Sequence, residues 1–103
     1  MTYKLYLDDL RTPKSPGWVV VRSYDEAVNY VKANGFPQAV SFDHDLGDAV
    51  PTGMDFARWL VTEDLDRRCM PDNFEFNVHS ANPVGRDNIE GLLCNYRSER
   101  AHV

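Results

Sequence analysis

Aspartate residues occur at two places where an apolar run of the sequence ends. Asp8 and Asp9 follow the first run, and Asp43 follows a later one. If both runs are neighbouring strands, the carboxylates lie close together, and like charges at short range need a cation or raised pKa values. Oxygen-only ligands suit Mg²⁺ or Mn²⁺, so Asp8, Asp9 and Asp43 are candidate metal ligands. The alternative is that they are turn formers and helix caps.

Two histidines accompany these carboxylates. His44 lies between two aspartates, and His79 comes directly after another apolar, alternating segment. Histidine exchanges protons near neutral pH, so both are candidate catalytic residues beside Asp43, as general base or acid. The alternatives are a loop histidine held by a carboxylate for His44, and a histidine satisfied on a sheet face for His79. His102 is assigned no role.

A predicted helix start close to His79 offers a site for an anion. Asn82 and Pro83 are residue types typical of an N-cap and of a first helical position. The free N–H groups at such a terminus bind anions, and an arginine guanidinium suits phosphate. We predict phosphate contacts from Ser80, Asn82, Gly85, Arg86 and Arg11, with Arg22 near the same rim. The alternative is that Arg86 and Arg22 are ordinary surface residues.

The elements that must position these groups can be predicted from apolar spacing. Short β-branched or alternating runs predict strands over residues 3–7, 18–22, 39–42 and 74–78. Residues 11–17 hold two prolines and a glycine and are predicted to be a loop. The order β-loop-β-α-β-α-β-α predicts an α/β fold with a parallel sheet and helices on its faces. The polar clusters then share the carboxyl edge of that sheet, where ligands bind.

Three helices are predicted from caps and periodicity. Ser23 and Thr52 each precede an acidic residue at capping-box spacing, and Asn82 caps the last helix. Gly35 fits the end of the first helix. The polar tail from Ser98 is expected to fray.

Length and charge limit the classes of function. The 103 residues fit a single domain over residues 1–103, and the net charge of −5 argues against non-specific DNA binding. A small phosphorylated ligand or an RNA end remains a possible partner. No apolar run approaches the ~18 residues of a membrane span. Without a recognisable signal peptide, Cys69 and Cys94 are expected to be reduced thiols in a cytoplasmic protein. A homodimer that forms through the last helix is a further hypothesis.

Four short motifs together resemble response-regulator receiver domains. They are Leu7–Asp9, Ser41–Gly47, Thr52–Asp55 and His79–Pro83. In receivers an acidic pair follows the first strand, a phospho-accepting aspartate ends the third, and Ser/Thr-Ala ends the fourth. The matching residues here are Asp8 with Asp9, Asp43, and Ser80 with Ala81. The lysine on a receiver's fifth strand has no counterpart here, and a loop replaces the first helix, which argues against ordinary phosphorelay signalling.

The full motif set is closer to one receiver-like subfamily, the cyclic-phosphate processing receiver domain of bacteria and their phages. The resemblance covers roughly residues 3–90. It implies a small three-layer, receiver-like (flavodoxin-like) sandwich with a truncated four-stranded parallel sheet in the order 2-1-3-4. It also implies action on cyclic phosphates of nucleotides or of nucleic-acid ends.

Three functional hypotheses follow. The leading one is a phosphoesterase that depends on Mg²⁺ or Mn²⁺ and acts on cyclic phosphates, including 2′,3′-cyclic RNA ends. The second is a non-catalytic binding module that sequesters a nucleotide or binds a partner protein, such as a phage-encoded inhibitor working in the host cytoplasm. The third is a true phospho-acceptor at Asp43.

Overall fold

The computed structural model describes residues 2–101, so His102 lies outside the described residues. It contains a single four-stranded parallel sheet and three helices. The strands are β1 (Lys4–Leu7), β2 (Trp18–Val21), β3 (Ala39–Phe42) and β4 (Glu75–Val78), and the helices are α1 (Tyr24–Asn34), α2 (Gly53–Arg67) and α3 (Pro83–Ala101). The sheet order is β2-β1-β3-β4. The predicted α/β receiver-like fold and strand order are therefore confirmed.

The helices begin at the predicted caps. The Ser23 hydroxyl accepts a hydrogen bond from the backbone N–H of Glu26, and Thr52 forms a complete capping box with Asp55. The Asn82 side chain accepts from the N–H of Gly85 at 3.0 Å and so caps α3. These side chains satisfy N–H groups that the first helical turn leaves without partners.

The core lies on one face of the sheet. Alternate strand residues such as Leu5 and Leu7 pair in register with Val40 and Phe42, and all four are buried. Residues of all three helices join the same buried cluster, namely Ala27, Val28, Val31, Phe56, Ala57, Leu60, Ile89, Leu93 and Tyr96. Two right-handed crossovers that step across the sheet in the same direction place their helices on the same face. All three helices therefore cover one side.

In the described part of the chain, the opposite face of the sheet carries no helix. As the prolines and the glycine of residues 11–17 predicted, the connection from β1 to β2 is a loop, over residues 8–17. Because this connection steps across the sheet in the opposite direction, it belongs to the second face. The third layer is thus a loop only, and part of the sheet beneath it stays accessible.

A buried ion-pair network fixes the end of α3. The Asp64 carboxylate is fully buried in α2 and accepts hydrogen bonds from the Tyr96 hydroxyl, the Met70 backbone N–H and Arg100 Nε. The expectation that the chain frays from Ser98 is wrong, since α3 continues to Ala101. The pairing of Arg100 with Asp64 gives the last turn a buried anchor.

No helix within residues 2–101 is both long and apolar enough to span a membrane.

Candidate active site

Asp8 is a buried carboxylate at the carboxyl end of β1. Its Oδ1 accepts the backbone N–H groups of Leu10 and Arg11, each at 2.8 Å, and its Oδ2 lies 3.0 Å from His79 Nε2. Burial alone would raise the pKa of Asp8, but the hydrogen bonds from Arg11, Leu10 and His79 outweigh it and lower that pKa. Asp8 is therefore an ionised group in a fixed orientation.

Asp43 ends β3 and has the opposite electrostatic character. It is only 6% exposed, and burial together with the nearby charge of Asp8 raises its pKa, although the Ser80 hydroxyl donates a hydrogen bond to it. The backbone after Asp43 is pressed against the start of α2. A Cβ at Gly53 would lie 1.9 Å from the Asp43 carbonyl oxygen, so only glycine permits this approach. Asp43 is thus the group whose charge is poorly compensated.

His79 follows β4 and contacts side chains of both central strands. Its Nε2 lies 3.0 Å from Asp8 Oδ2, and its Nδ1 lies 2.7 Å from the Ser41 hydroxyl. Its ring stacks on Tyr6 with 4.4 Å between centroids and 8° between planes. A hydroxyl can donate to the neutral Nδ1 or accept from the protonated one, so Ser41 satisfies both charge states of the ring. Nε2 can donate to Asp8 in either state.

Ligand atoms of Asp8, Asp43 and His79 all lie within 4.8 Å of one another. They adjoin an open cleft of about 390 Å³, here called the acidic cleft. Its lining includes Asp8, Asp9, Asp43, Asp45, Asp48, Ser80, Asn82 and Arg11. Five carboxylates and one arginine give the cleft a strongly negative character among the described residues. Three separate segments of the chain thus meet at one edge of the sheet, as predicted, and bring these groups together.

His44 lies behind the rim of the cleft. Its Nδ1 is 2.9 Å from Asp45 Oδ1, and Asn82 Nδ2 lies 3.4 Å from the other oxygen of that carboxylate. The hydrogen bond with His44 is the main cause that lowers the pKa of Asp45. Gly85 does not line the cleft but faces the His44 ring, where a Cβ would lie 2.4 Å from the ring carbon Cγ. Gly85 therefore lets α3 pack closely against the His44 ring and does not contact the cleft.

The predicted cations are placed differently from one another. Arg11 lines the acidic cleft, and its Nε lies 3.6 Å from Asp8 Oδ2. Arg86 does not line the cleft and pairs with Glu90 along α3. Arg22 donates to the backbone carbonyls of Asp8 and Arg11, so it holds the loop after β1. Arg11 is therefore the predicted cation that the fold brings closest to the carboxylates.

Several residues of this region escaped the sequence interpretation. Asp48 lines the cleft, and Ser41 and Tyr6 hold the His79 ring. Asp48 lay in a segment treated only as a loop. Strand register could have indicated Ser41 and Tyr6. Tyr6 pairs with Ser41 across the two central strands, and both share a sheet face with His79.

The parallel sheet, the acidic pair after β1 and the aspartate and serine after β3 and β4 define a receiver-like α/β domain. A family model for the cyclic-phosphate processing receiver domain matches residues 3–95. The chain belongs to this family. Comparison with curated proteins and with solved structures finds no match.

Proposed function

We propose that the chain is a phosphoesterase that uses Mg²⁺ or Mn²⁺ to hydrolyse a cyclic phosphate in the acidic cleft. The observation that carries the proposal is the close grouping of Asp8 and Asp43, two buried carboxylates from different strands, within the 4.8 Å cluster. Such a pair is stable as two anions only when a cation compensates it. Membership of the cyclic-phosphate processing family supports the substrate class.

The donor set fits a hard divalent cation. Asp8 and Asp43 each present a carboxylate oxygen to the same small region, and Asp9 lines the cleft beside them. Oxygen donors suit Mg²⁺ and Mn²⁺, and open positions for water or substrate are usual for Mg²⁺ sites. A cation held there would neutralise the charge of phosphate oxygens and favour attack by water.

His79 acts in this proposal as a positioning residue. Both of its ring nitrogens have partners, since Nε2 meets Asp8 and Nδ1 meets the Ser41 hydroxyl. Imidazoles and carboxylates that hydrogen-bond to metal ligands fix the orientation of those ligands. His79 therefore keeps Asp8 aimed at the cleft while its other nitrogen faces away from it.

The pair formed by His44 and Asp45 is assigned the proton transfer. The Asp45 carboxylate lines the cleft, and the His44 imidazole lies 2.9 Å behind it. A carboxylate backed by an imidazole can take a proton from water as the water oxygen bonds to phosphorus, and the alkoxide released when the ring P–O bond breaks receives a proton in return. Arg11 lines the same cleft and is placed to contact a phosphate oxygen.

Phosphorus NMR of the protein mixed with 2′,3′- and 3′,5′-cyclic nucleotides tests this function. With Mg²⁺ or Mn²⁺ we expect a new monoester signal that disappears with EDTA and in Asp43→Asn. Glu90→Gln, an exposed change on α3, serves as the matched control and should retain turnover. The absence of turnover across a broad panel would overturn the enzyme proposal. Shifted or broadened ligand signals without turnover would instead favour the binding module.

The same variants separate the two histidines. If His44 works in proton transfer, His44→Ala lowers kcat and changes the pH profile of the reaction. If His79 only positions Asp8, His79→Gln, which retains a hydrogen-bond donor, should keep more cation binding than His79→Ala. Equal losses in both His79 variants would contradict the positioning role.

A further inference from the structure

The sheet face opposite the helices contains a second cavity, of about 530 Å³, here called the aromatic cavity. It is lined by Tyr6, Trp18, Ser41 and Asn77 of the strands, by His79 directly after β4, and by the loop residues 11–15. This cavity exists because a loop rather than a helix connects β1 to β2. Apart from Arg11, Ser41 and His79, its lining residues take no part in the hydrolytic chemistry assigned above.

Three aromatic rings, those of Tyr6, Trp18 and His79, line the aromatic cavity. Tyr6 stacks in parallel with His79, and Trp18 meets the Tyr6 ring edge-on with 6.0 Å between centroids. The Lys4 ammonium lies 5.5 Å from the Trp18 ring centroid and helps to hold the indole in place. Clusters of aromatic side chains at a cavity are typical of sites for planar rings, and nucleobases stack on such side chains with little sequence preference.

Polar groups lie next to the rings. Asn77 is exposed, and its Nδ2 lies 3.3 Å from the Ser41 hydroxyl. A carboxamide presents a donor and an acceptor side by side, which matches the edge of a nucleobase. A mainly apolar cavity with a few oriented polar groups is typical of a small-molecule site.

The aromatic cavity adjoins the acidic cleft at Arg11 and at the contact between His79 and Asp8. Arg11 lines both, and His79 lines the aromatic cavity while its Nε2 contacts Asp8 of the cleft. A ligand with a phosphate at one end and a planar ring at the other can therefore occupy both spaces on the two sides of Arg11. Nucleotides have this form.

We propose that the aromatic cavity binds the nucleobase of a nucleotide whose cyclic phosphate lies in the acidic cleft. This inference rests on the proposed function for its substrate, and it narrows the substrate class from cyclic phosphates in general to cyclic nucleotides or the terminal nucleotide of RNA. Base-free cyclic phosphates should then be poor ligands. Stacking is tolerant of base identity, so we expect a modest preference among bases.

Fluorescence tests base binding independently of catalysis. The chain has two tryptophans, so Trp59→Phe on α2 leaves Trp18 as the reporter. With EDTA present, we expect free nucleosides to change Trp18 emission saturably, and ribose to have no effect. Asn77→Ala should weaken this response about tenfold. A response to nucleosides that never saturates, or that ribose reproduces, would overturn the proposal.

Kinetics with and without a base provide the second test. We compare kcat/KM for a 2′,3′-cyclic nucleotide with that for glycerol 1,2-cyclic phosphate, which carries the ring phosphate alone. Trp18→Ala should reduce the ratio of the two values about tenfold or more, whereas Trp59→Phe should leave it unchanged. Circular dichroism confirms that each variant is folded, and Asn77→Ala replaces Trp18→Ala if that variant is not.

The two proposals fail in different ways. Equal kcat/KM values for the nucleotide and the base-free compound would overturn base binding while the phosphoesterase function stands. Saturable nucleoside binding without turnover of any compound would overturn the phosphoesterase function and support the base site.

Discussion

Two buried carboxylates near opposite ends of α2 show different uses of the same chemical group. Asp64 lies in the last turns of α2, fully buried, with Tyr96, the Met70 N–H and Arg100 as donors. Asp43 lies beside the first residue of α2 and is almost as buried, but burial and the carboxylate of Asp8 both act against its charge. Asp64 is fully paired within the fold, whereas Ser80, His79 and the His44 N–H compensate Asp43 only in part.

The pKa directions follow from that difference. Burial raises the pKa of Asp64, but hydrogen bonds from Tyr96, Met70 and Arg100 outweigh it and lower that pKa. For Asp43, burial and Asp8 both act upward, and the pKa rises. Buried charges that are fully paired belong to the structure, whereas an uncompensated buried charge points to a site that completes its compensation with a ligand.

Removing the compensated charge should have the largest effect. Asp64→Asn leaves Arg100 without its buried partner and weakens the anchor of the last turn of α3. Breaking a buried pair from one side costs about 3 kcal/mol or more. Urea unfolding should show a lower midpoint for Asp64→Asn, with exposed Asp66→Asn on the same helix as the control. A loss of stability no larger than that of the control would contradict the structural role.

Removing the Asp43 charge should stabilise the chain, whereas removing the Asp64 charge destabilises it. Asp43→Asn keeps the shape and the Ser80 contact but relieves the repulsion from Asp8, so in EDTA it should stabilise the chain by about 1 kcal/mol. The measurement is again the urea midpoint, with exposed Asp48→Asn as a control in the same cleft. A destabilised Asp43→Asn would mean that the carboxylate pair is already compensated within the fold.

The two aspartates should also respond oppositely to pH. The folded pKa of Asp64 is lowered. Its contribution to the free energy of unfolding is therefore present above the unfolded pKa of about 3.9 and is lost as the pH falls through the folded value. The folded pKa of Asp43 is raised, so its contribution to the free energy of unfolding is present below about 3.9 and is lost as the pH rises through the folded value.

Urea midpoints between about pH 3 and pH 7 in EDTA check these signs. Asp64→Asn should flatten the loss of stability on the acid side. The advantage of Asp43→Asn over the wild type should grow as the pH rises above about 4. If the advantage of Asp43→Asn shrank with rising pH, the folded pKa of Asp43 would be lowered rather than raised.

The smallest expected effect is that of removing Arg86, which is compared with removing Arg11. Arg11 lines the cleft, so Arg11→Ala should weaken binding of a cyclic nucleotide about tenfold, the loss of one charge-assisted hydrogen bond. Arg86 pairs with Glu90 on the surface of α3, so Arg86→Ala should change binding less than about twofold. Calorimetric titration in EDTA, where no turnover is expected, compares the two variants, and a larger loss of binding for Arg86→Ala would reverse the assignment.

Much of the fold could be predicted from local signals. Strand runs, caps at Ser23, Thr52 and Asn82, and the glycine at the end of α1 carry their own physical causes within a few residues. The strand order came from the family resemblance. The loop over residues 11–17 was predicted from its prolines and glycine, but which sheet face it leaves without a helix depends on the direction of each crossover, which only the assembled topology determines.

The site was predictable only where chemistry and strand ends coincide. Asp8 and Asp43 follow strands, and their meeting needed only that β1 and β3 be neighbours. Gly85 was expected to face a ligand but lies against His44, because packing determines which positions of α3 face the cleft. Asp64 falls one helical turn after Leu60 on the buried stripe of α2, and its partner Arg100 lies 36 residues later, too distant for spacing to indicate.

Mn²⁺ titration followed by electron paramagnetic resonance tests the central claim most directly, that the carboxylates of the acidic cleft are compensated by a divalent cation. Wild type, Asp43→Asn and the control Asp66→Asn are compared at neutral pH. We predict one Mn²⁺ bound by the wild type and by Asp66→Asn, with binding by Asp43→Asn reduced at least about tenfold. Equal Mn²⁺ binding by Asp43→Asn and the wild type, or no binding by either, would contradict the account.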